Sequence, residues 1–423
     1  MRARLALALS ASFAQAAWQG DDITPTAARS MNASQAQEHL LTLVPEAALT
    51  HGQQTLLSTI RGRASTAEVH LARVAAAPGG QLRGGGAIRL AVAPGVNVVA
   101  LPQHLQQRGD DDLSWSGPVQ GGGWAQLVYM QGGVTATVTV GGAQYAIEPL
   151  GGGLHAVSRI DQGGFPQEHP AGNFSGVLVD NDRFGGAAAR NPNDGAIGIQ
   201  AVSTQNVLVV YTASAASAAG NIASKIQLAV DETNQSYANS GIQISMTRVY
   251  TGQVTYSESG RSFGQHVSAL QGTTDGLMDN VHTLRNTYAA DIVVLVVNDS
   301  EACGQAAAIR ATASSAFAVA HYSCITGYYS FGHEIGHLQG ARHDRYVDGS
   351  TSPFSYGHGY IPPSKGWRTV MAYGNNCANC TRVQYWSTPL RTYPPTGEVL
   401  GTATYEDNAR VLNGTAATVA AFR

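Results

Sequence analysis

Three histidines and a glutamate stand at spacings that suit the activation of a water molecule by a metal ion. His333, Glu334, His337, Gly340 and His343 compose the pattern H-E-x-x-H-x-x-G-x-x-H, and Asp344 follows directly. On a helix, His333 and His337 project four residues apart from one face, so both imidazoles can reach one ion. Glu334 comes next to the first of them, where its carboxylate can hold and deprotonate a water on that ion. Gly340 tolerates backbone angles that other residues avoid, so the chain can leave the helix sharply and bring His343 round as a third ligand. Three protein nitrogens and one water make the open arrangement of a catalytic zinc, whereas a structural zinc is closed by four protein ligands. A bare H-E-x-x-H arises by accident on solvated helices; the glycine and third histidine at fixed offsets make accident remote. Asp344 reads as an anchor acting through local hydrogen bonds, because three histidines already complete the protein's share of the shell.

The motif also predicts a methionine beneath its ligands. Met371 lies 28 residues beyond His343, within the segment 369–374, and has the setting of a Met-turn. Tyr373 follows two positions later and reads equally as a hydrogen-bonding group beside the metal or as a core tyrosine.

The elements that must position these residues follow an α/β order. Strands are expected at 206–212, 242–250, 291–298 and 316–322. Between the first two, Ile222, Ile226, Ala229, Val230 and Tyr237 trace one helical face that ends near Gly241. A less regular helical stretch covers 276–289, and a terminal helix lies within 408–423. His321 reads as a loop or rim histidine outside the motif. Further upstream, 35–43 and 67–74 look like helical patches, while 84–160 consists of short β-branched runs broken by glycine pairs, a twisted meander. It concentrates no acid, base or thiol chemistry. A Gly/Ala/Asn-rich stretch then reads as a linker.

The whole organises as a signal peptide at 1–17, a domain at 18–190 that is β-rich in its second half, a linker at 191–206, and a second domain at 207–423. A net charge of −3 leaves no electrostatic footprint for nucleic acid or an anionic membrane, and no apolar run is long enough to span a bilayer. Four cysteines in an exported chain predict two disulfides with three possible pairings, of which Cys303–Cys324 with Cys377–Cys380 is the expectation. Calcium is left open, since no EF-hand loop or comparable acidic spacing assigns it.

On these residues the second domain resembles the metzincin zinc metalloproteases of the reprolysin-like kind, and among them the bacterial peptidyl-Asp metallopeptidases. The resemblance runs through 291–299, 329–337, 340–344, 367–373 and 385–389, and covers roughly 200–423. For 18–190 it rests on position and texture, including His169-Pro170, which resemble a propeptide. It implies an α+β/α/β catalytic domain, a twisted mixed sheet with helices, a zinc-binding helix and a Met-turn, behind a β-rich propeptide. It implies a secreted bacterial endopeptidase with one catalytic zinc on His333, His337 and His343, and Glu334 as general base. Its substrates would be proteins or peptides, cut on the N-terminal side of Asp or Glu, and the strand at 316–322 would pair with the substrate backbone. That preference needs a cation in the substrate pocket, and Arg368 and Arg382 lie in the right region of sequence. The propeptide would act as inhibitor or folding aid. No cysteine precedes Cys303, so latency cannot use a thiolate; Asp180 or Asp182, near Phe174, are carboxylates that could serve instead. The rival readings are a broad-specificity endopeptidase and an inactive secreted zinc-binding protein. Glu334 argues against the latter, because a binding site has no need of that base.

Overall fold

A computed structural model describes residues 39–45, 48–170 and 201–423. The signal segment 1–17, Asp180, Asp182 and positions 191–200 of the expected linker lie outside the described residues. All the described residues belong to one compact unit, Ala36–Arg423.

Among the described residues, ten strands between His39 and Ile160 form one sheet. Its strands run antiparallel to their neighbours except where His39–Val44 lies parallel to Ile88–Ala93. The second half is the expected meander. Gly123–Met130, Gly133–Val140 and Ala143–Gly151 are consecutive antiparallel partners joined by tight turns, with Gly132, Gly141 and Gly142 at positive φ. Two-residue hairpin turns require that backbone region, which glycine reaches without strain. The helical patches expected at 35–43 and 67–74 are instead strands, His39–Val44 and Thr66–Val74, wherever they are described. The C-terminal end of Thr66–Val74 is covered on both faces. Leu71 packs toward the helix His51–Gly62, whereas Ala72 and Val74 face the main core of the sheet. Burial on both sides erases the alternation that marks a strand.

The second domain opens with Ser203–Tyr211, a few residues earlier than the sequence suggests. Its five-stranded sheet runs Ile244–Gln253, Ser203–Tyr211, Ile292–Val297, Phe317–His321, Gly304–Ala306. The pairings are parallel except the last. Successive residues of the central strands enter different cores. Val207, Val209, Ile292 and Val294 face the helix Ile222–Ser240, while Leu208, Val210, Val293 and Leu295 face the helix Phe263–Gln271. Helices on both faces explain why 292–297 reads as an unbroken apolar run. Phe317–His321 is internal, not the edge expected to meet a substrate. The edge is Gly304–Ala306, too short and too weakly patterned to announce itself, and antiparallel to its neighbour. Disulfides join Cys303 to Cys324 and Cys377 to Cys380. The first ties that edge to the segment leading into the motif helix.

The two sheet regions meet along Ile222–Ser240, where Leu228 packs with Val128 and Met130 of the N-terminal sheet. A buried ion pair crosses the same boundary, with Lys225 Nζ 2.6 Å from Glu148 Oε1, and Arg63 on the N-terminal side adds a second cation, its Nη1 2.6 Å from Glu148 Oε2. Burial alone would push the Glu148 carboxyl up, but the two cations override it and hold it down at about 2.

Candidate active site

The motif occupies the helix Ser330–Gln339, all ten residues of which are buried. Gly340 ends it at φ 108, and its N–H bonds the His337 carbonyl at 2.8 Å. A side chain there would be strained and would crowd Phe354. The chain then doubles back, with Ala341 N–H on the Gly336 carbonyl at 2.9 Å, and this return brings His343 against the two helical histidines.

The three Nε2 atoms converge. They lie 3.2 Å apart for His333 and His337, 3.2 Å for His333 and His343, and 2.9 Å for His337 and His343. His333 Nδ1 donates to the Val370 carbonyl at 3.0 Å and His337 Nδ1 to the Ala341 carbonyl at 2.9 Å. A carbonyl only accepts, so these bonds place the protons on Nδ1 and leave the Nε2 lone pairs aimed at one another. Burial, followed by neighbouring positive charge, holds all three imidazoles well below their ordinary pKa, as neutral donors. Converging lone pairs repel unless a cation lies among them, and nitrogens bound to one tetrahedral zinc stand about 3.3 Å apart. The donor set fits zinc.

Glu334 is fully buried beside them. Burial pushes its carboxyl up to about 7, against the opposing pull of the nearby His169. A carboxyl in that range can both accept and return a proton near neutral pH. Gly304 of the edge strand leaves it room: a Cβ at that position would sit 2.6 Å from Glu334 Cγ and collide with the carboxylate. Met371 is buried below the helix, where a Cβ on Gly336 would meet its sulfur at 3.1 Å and the Trp386 ring at 2.6 Å. Asp344 Oδ2 accepts from Tyr373 N–H at 2.8 Å and Oδ1 from Tyr346 N–H at 3.1 Å, tying the third histidine's loop to the methionine turn. The Tyr373 ring lies 4.6 Å from that of His343. His321 ends its strand buried, bonded to Ser323 Oγ at 2.9 Å, and is not part of the cluster.

A fourth histidine comes from the N-terminal domain. Ligand atoms of His169, His333, His337 and His343 all lie within 4.8 Å of one another. His169 Nε2 is 3.2 Å from Glu334 Oε2, and its Nδ1 is 3.1 Å from the Tyr373 hydroxyl. The backbone that carries it runs along the edge strand, where Cys303 N–H bonds the Gln167 carbonyl and Gly304 N–H the Glu168 carbonyl, both at 2.8 Å. Sequence spacing ties His333, His337 and His343 together. Nothing of the kind points from His169 to residues more than 160 positions away.

Residues 202–387 match the family model described as Metallo-peptidase family M12. The chain is 44% identical over 298 residues to a peptidyl-Asp metalloendopeptidase of Stenotrophomonas maltophilia, covering 69% of this chain and 68% of that protein. It is 44% identical over 292 residues to a peptidyl-Asp metalloendopeptidase of Xanthomonas campestris pv. campestris, covering 69% and 67%. A peptidyl-Asp metalloendopeptidase of Pseudomonas fragi matches at 42% over 194 residues, 45% of this chain and all of that sequence. With three histidines and a glutamate arranged as such chemistry requires, the chain belongs to the reprolysin-like zinc metalloendopeptidases of family M12.

Proposed function

We propose that the protein is an exported endopeptidase that cuts on the N-terminal side of acidic residues and is made latent, its N-terminal domain covering the cleft. The convergence of three neutral imidazoles beside one buried carboxyl carries the reading. The names of the relatives support the acidic preference. Two disulfides and the signal-like 1–17 fit export.

His333, His337 and His343 would hold the zinc, which would supply Lewis acidity to a water and to the scissile carbonyl. Glu334 takes the proton of the attacking water and returns it to the departing amine. Once the 167–168 backbone has left, the Cys303 and Gly304 N–H groups of the edge hold the substrate backbone, so the scissile carbonyl enters between Glu334 and Tyr373. The Tyr373 hydroxyl donates to the carbonyl oxygen as it gains charge. Met371 and Trp386 fix the floor of the helix, and Asp344 fixes the loop that presents His343. In the latent chain His169 engages both Glu334 and Tyr373, so neither group can serve a substrate.

A peptide library read by mass spectrometry tests this function. The full-length preparation, assayed once its activity has reached a plateau, is expected to cut before Asp and Glu. Cleavage should stop with a chelator and return with added zinc. Cuts spread evenly over all residue types would favour the broad-specificity reading, and no chelator-sensitive cutting would refute the peptidase.

A further inference from the structure

Beside the three clustered histidines lie two buried arginines and, among the described residues, a single carboxylate paired with them. Arg382 and Arg368 are each 2% exposed. Arg382 Nη1 donates to Glu168 Oε2 at 2.7 Å and to the Tyr328 carbonyl at 3.0 Å, and its guanidinium lies 4.2 Å from the centre of the Tyr328 ring. Arg368 donates to the Cys380 carbonyl and, at 3.2 Å, to the Tyr328 hydroxyl. Burial, then the like charge of Arg382, pushes Arg368 down to about 10. The other Glu168 oxygen stands 4.0 Å from His333 Nδ1, so the carboxylate lies directly beside the histidine cluster.

The ownership of these groups is the telling point. Arg368, Arg382 and Tyr328 belong to the protease domain, and Glu168 belongs to the N-terminal domain. With the N-terminal residues in place these guanidinium groups are buried, and a buried guanidinium without a counter-ion is costly, so the arrangement calls for a carboxylate. Glu168 meets that demand from a particular track. Its own carbonyl and that of Gln167 accept from the Gly304 and Cys303 N–H groups, which fastens this backbone to the edge of the sheet. His169, the next residue, engages Glu334. A side chain held one residue from the reacting centre, on a backbone paired to the edge, occupies the place of a substrate residue next to the scissile bond.

We propose that Arg382, backed by Arg368 and braced by Tyr328, selects the acidic side chain beside the scissile bond, and that Glu168 is the chain's own stand-in for that substrate residue. This rests on the reading of the protein as a peptidase that cuts before acidic residues. Arg382 is a specificity residue, and Arg368 acts through the position and field it gives Arg382.

The test uses matched peptide pairs, Asp against Asn and Glu against Gln at the selected position, with the full-length preparation assayed at its activity plateau. Arg382→Gln is expected to lower the acid-to-amide ratio of kcat/KM at least roughly 30-fold, as losing one partner of a buried charge pair does. Arg382→Lys should recover part of the ratio, because it restores charge without the planar fork. An unchanged ratio in active Arg382→Gln overturns the assignment. Should that variant cut nothing, the wild-type protein decides. A peptide of the sequence Phe-Pro-Gln-Glu-His, copied from 165–169, should inhibit at least about tenfold better than Phe-Pro-Gln-Gln-His. Equal inhibition by the two peptides overturns the proposal. A wild-type protein that cuts no peptide defeats the peptidase reading itself, a separate result from either of these.

Discussion

Glu334→Gln is expected to lower kcat/KM by roughly three to four orders of magnitude while the protein keeps its zinc. The substitution preserves volume in a fully buried site, so the fold has no reason to change. What it removes is the carboxyl proposed to accept and return the proton. His333 and His337 keep their bonds to Val370 and Ala341, and the three imidazoles keep their mutual spacing. Steady-state kinetics on one good peptide, with metal analysis of the same sample, separates this outcome from simple loss of the site. Activity within tenfold of wild type would remove Glu334 from the mechanism. Loss of zinc together with activity would make it a structural residue.

His169→Ala should raise the activity of the uncleaved full-length chain and shorten the delay before activity appears. This imidazole contacts both Glu334 and Tyr373 from a buried position. Truncating one partner of a buried, hydrogen-bonded charged pair costs about 2–5 kcal/mol, which corresponds to a rise of roughly 30-fold or more in the open population. Release should be incomplete. Glu168 still pairs with Arg382, Gln167 and Glu168 still bond the edge strand, and Lys225 still pairs with Glu148 across the domain boundary. Progress curves of wild type and variant at equal concentration measure the effect. Identical curves would mean that cleft occupancy by His169 does not limit the latent chain.

How far the sequence displays this site depends on how local each feature is. His333, His337, Gly340 and His343 are visible because one helical turn and one glycine bend bring them together, and spacing encodes both. The strand Ile292–Val297 is visible because covering it on two faces leaves a continuous apolar run. The same two-sided burial conceals Thr66–Val74, whose apolar positions then mimic helical spacing. The edge Gly304–Ala306 is defined by backbone pairing and by the space that glycine leaves for Glu334, neither of which produces a side-chain pattern. His169 and Glu168 are the extreme case. They sit in a segment without periodicity and acquire meaning only when the N-terminal domain docks. Arg382 has the same history: its neighbourhood in sequence suggests a pocket, but only its pairing with Glu168 marks it out from Arg368.

The measurement closest to the centre of this account is zinc analysis of the purified full-length chain. One zinc per chain is expected, removable by chelator, restored by zinc, and lost when His337 and His343 are both changed to alanine. A chain that binds no zinc, or one that keeps a full equivalent without those two imidazoles, would contradict it.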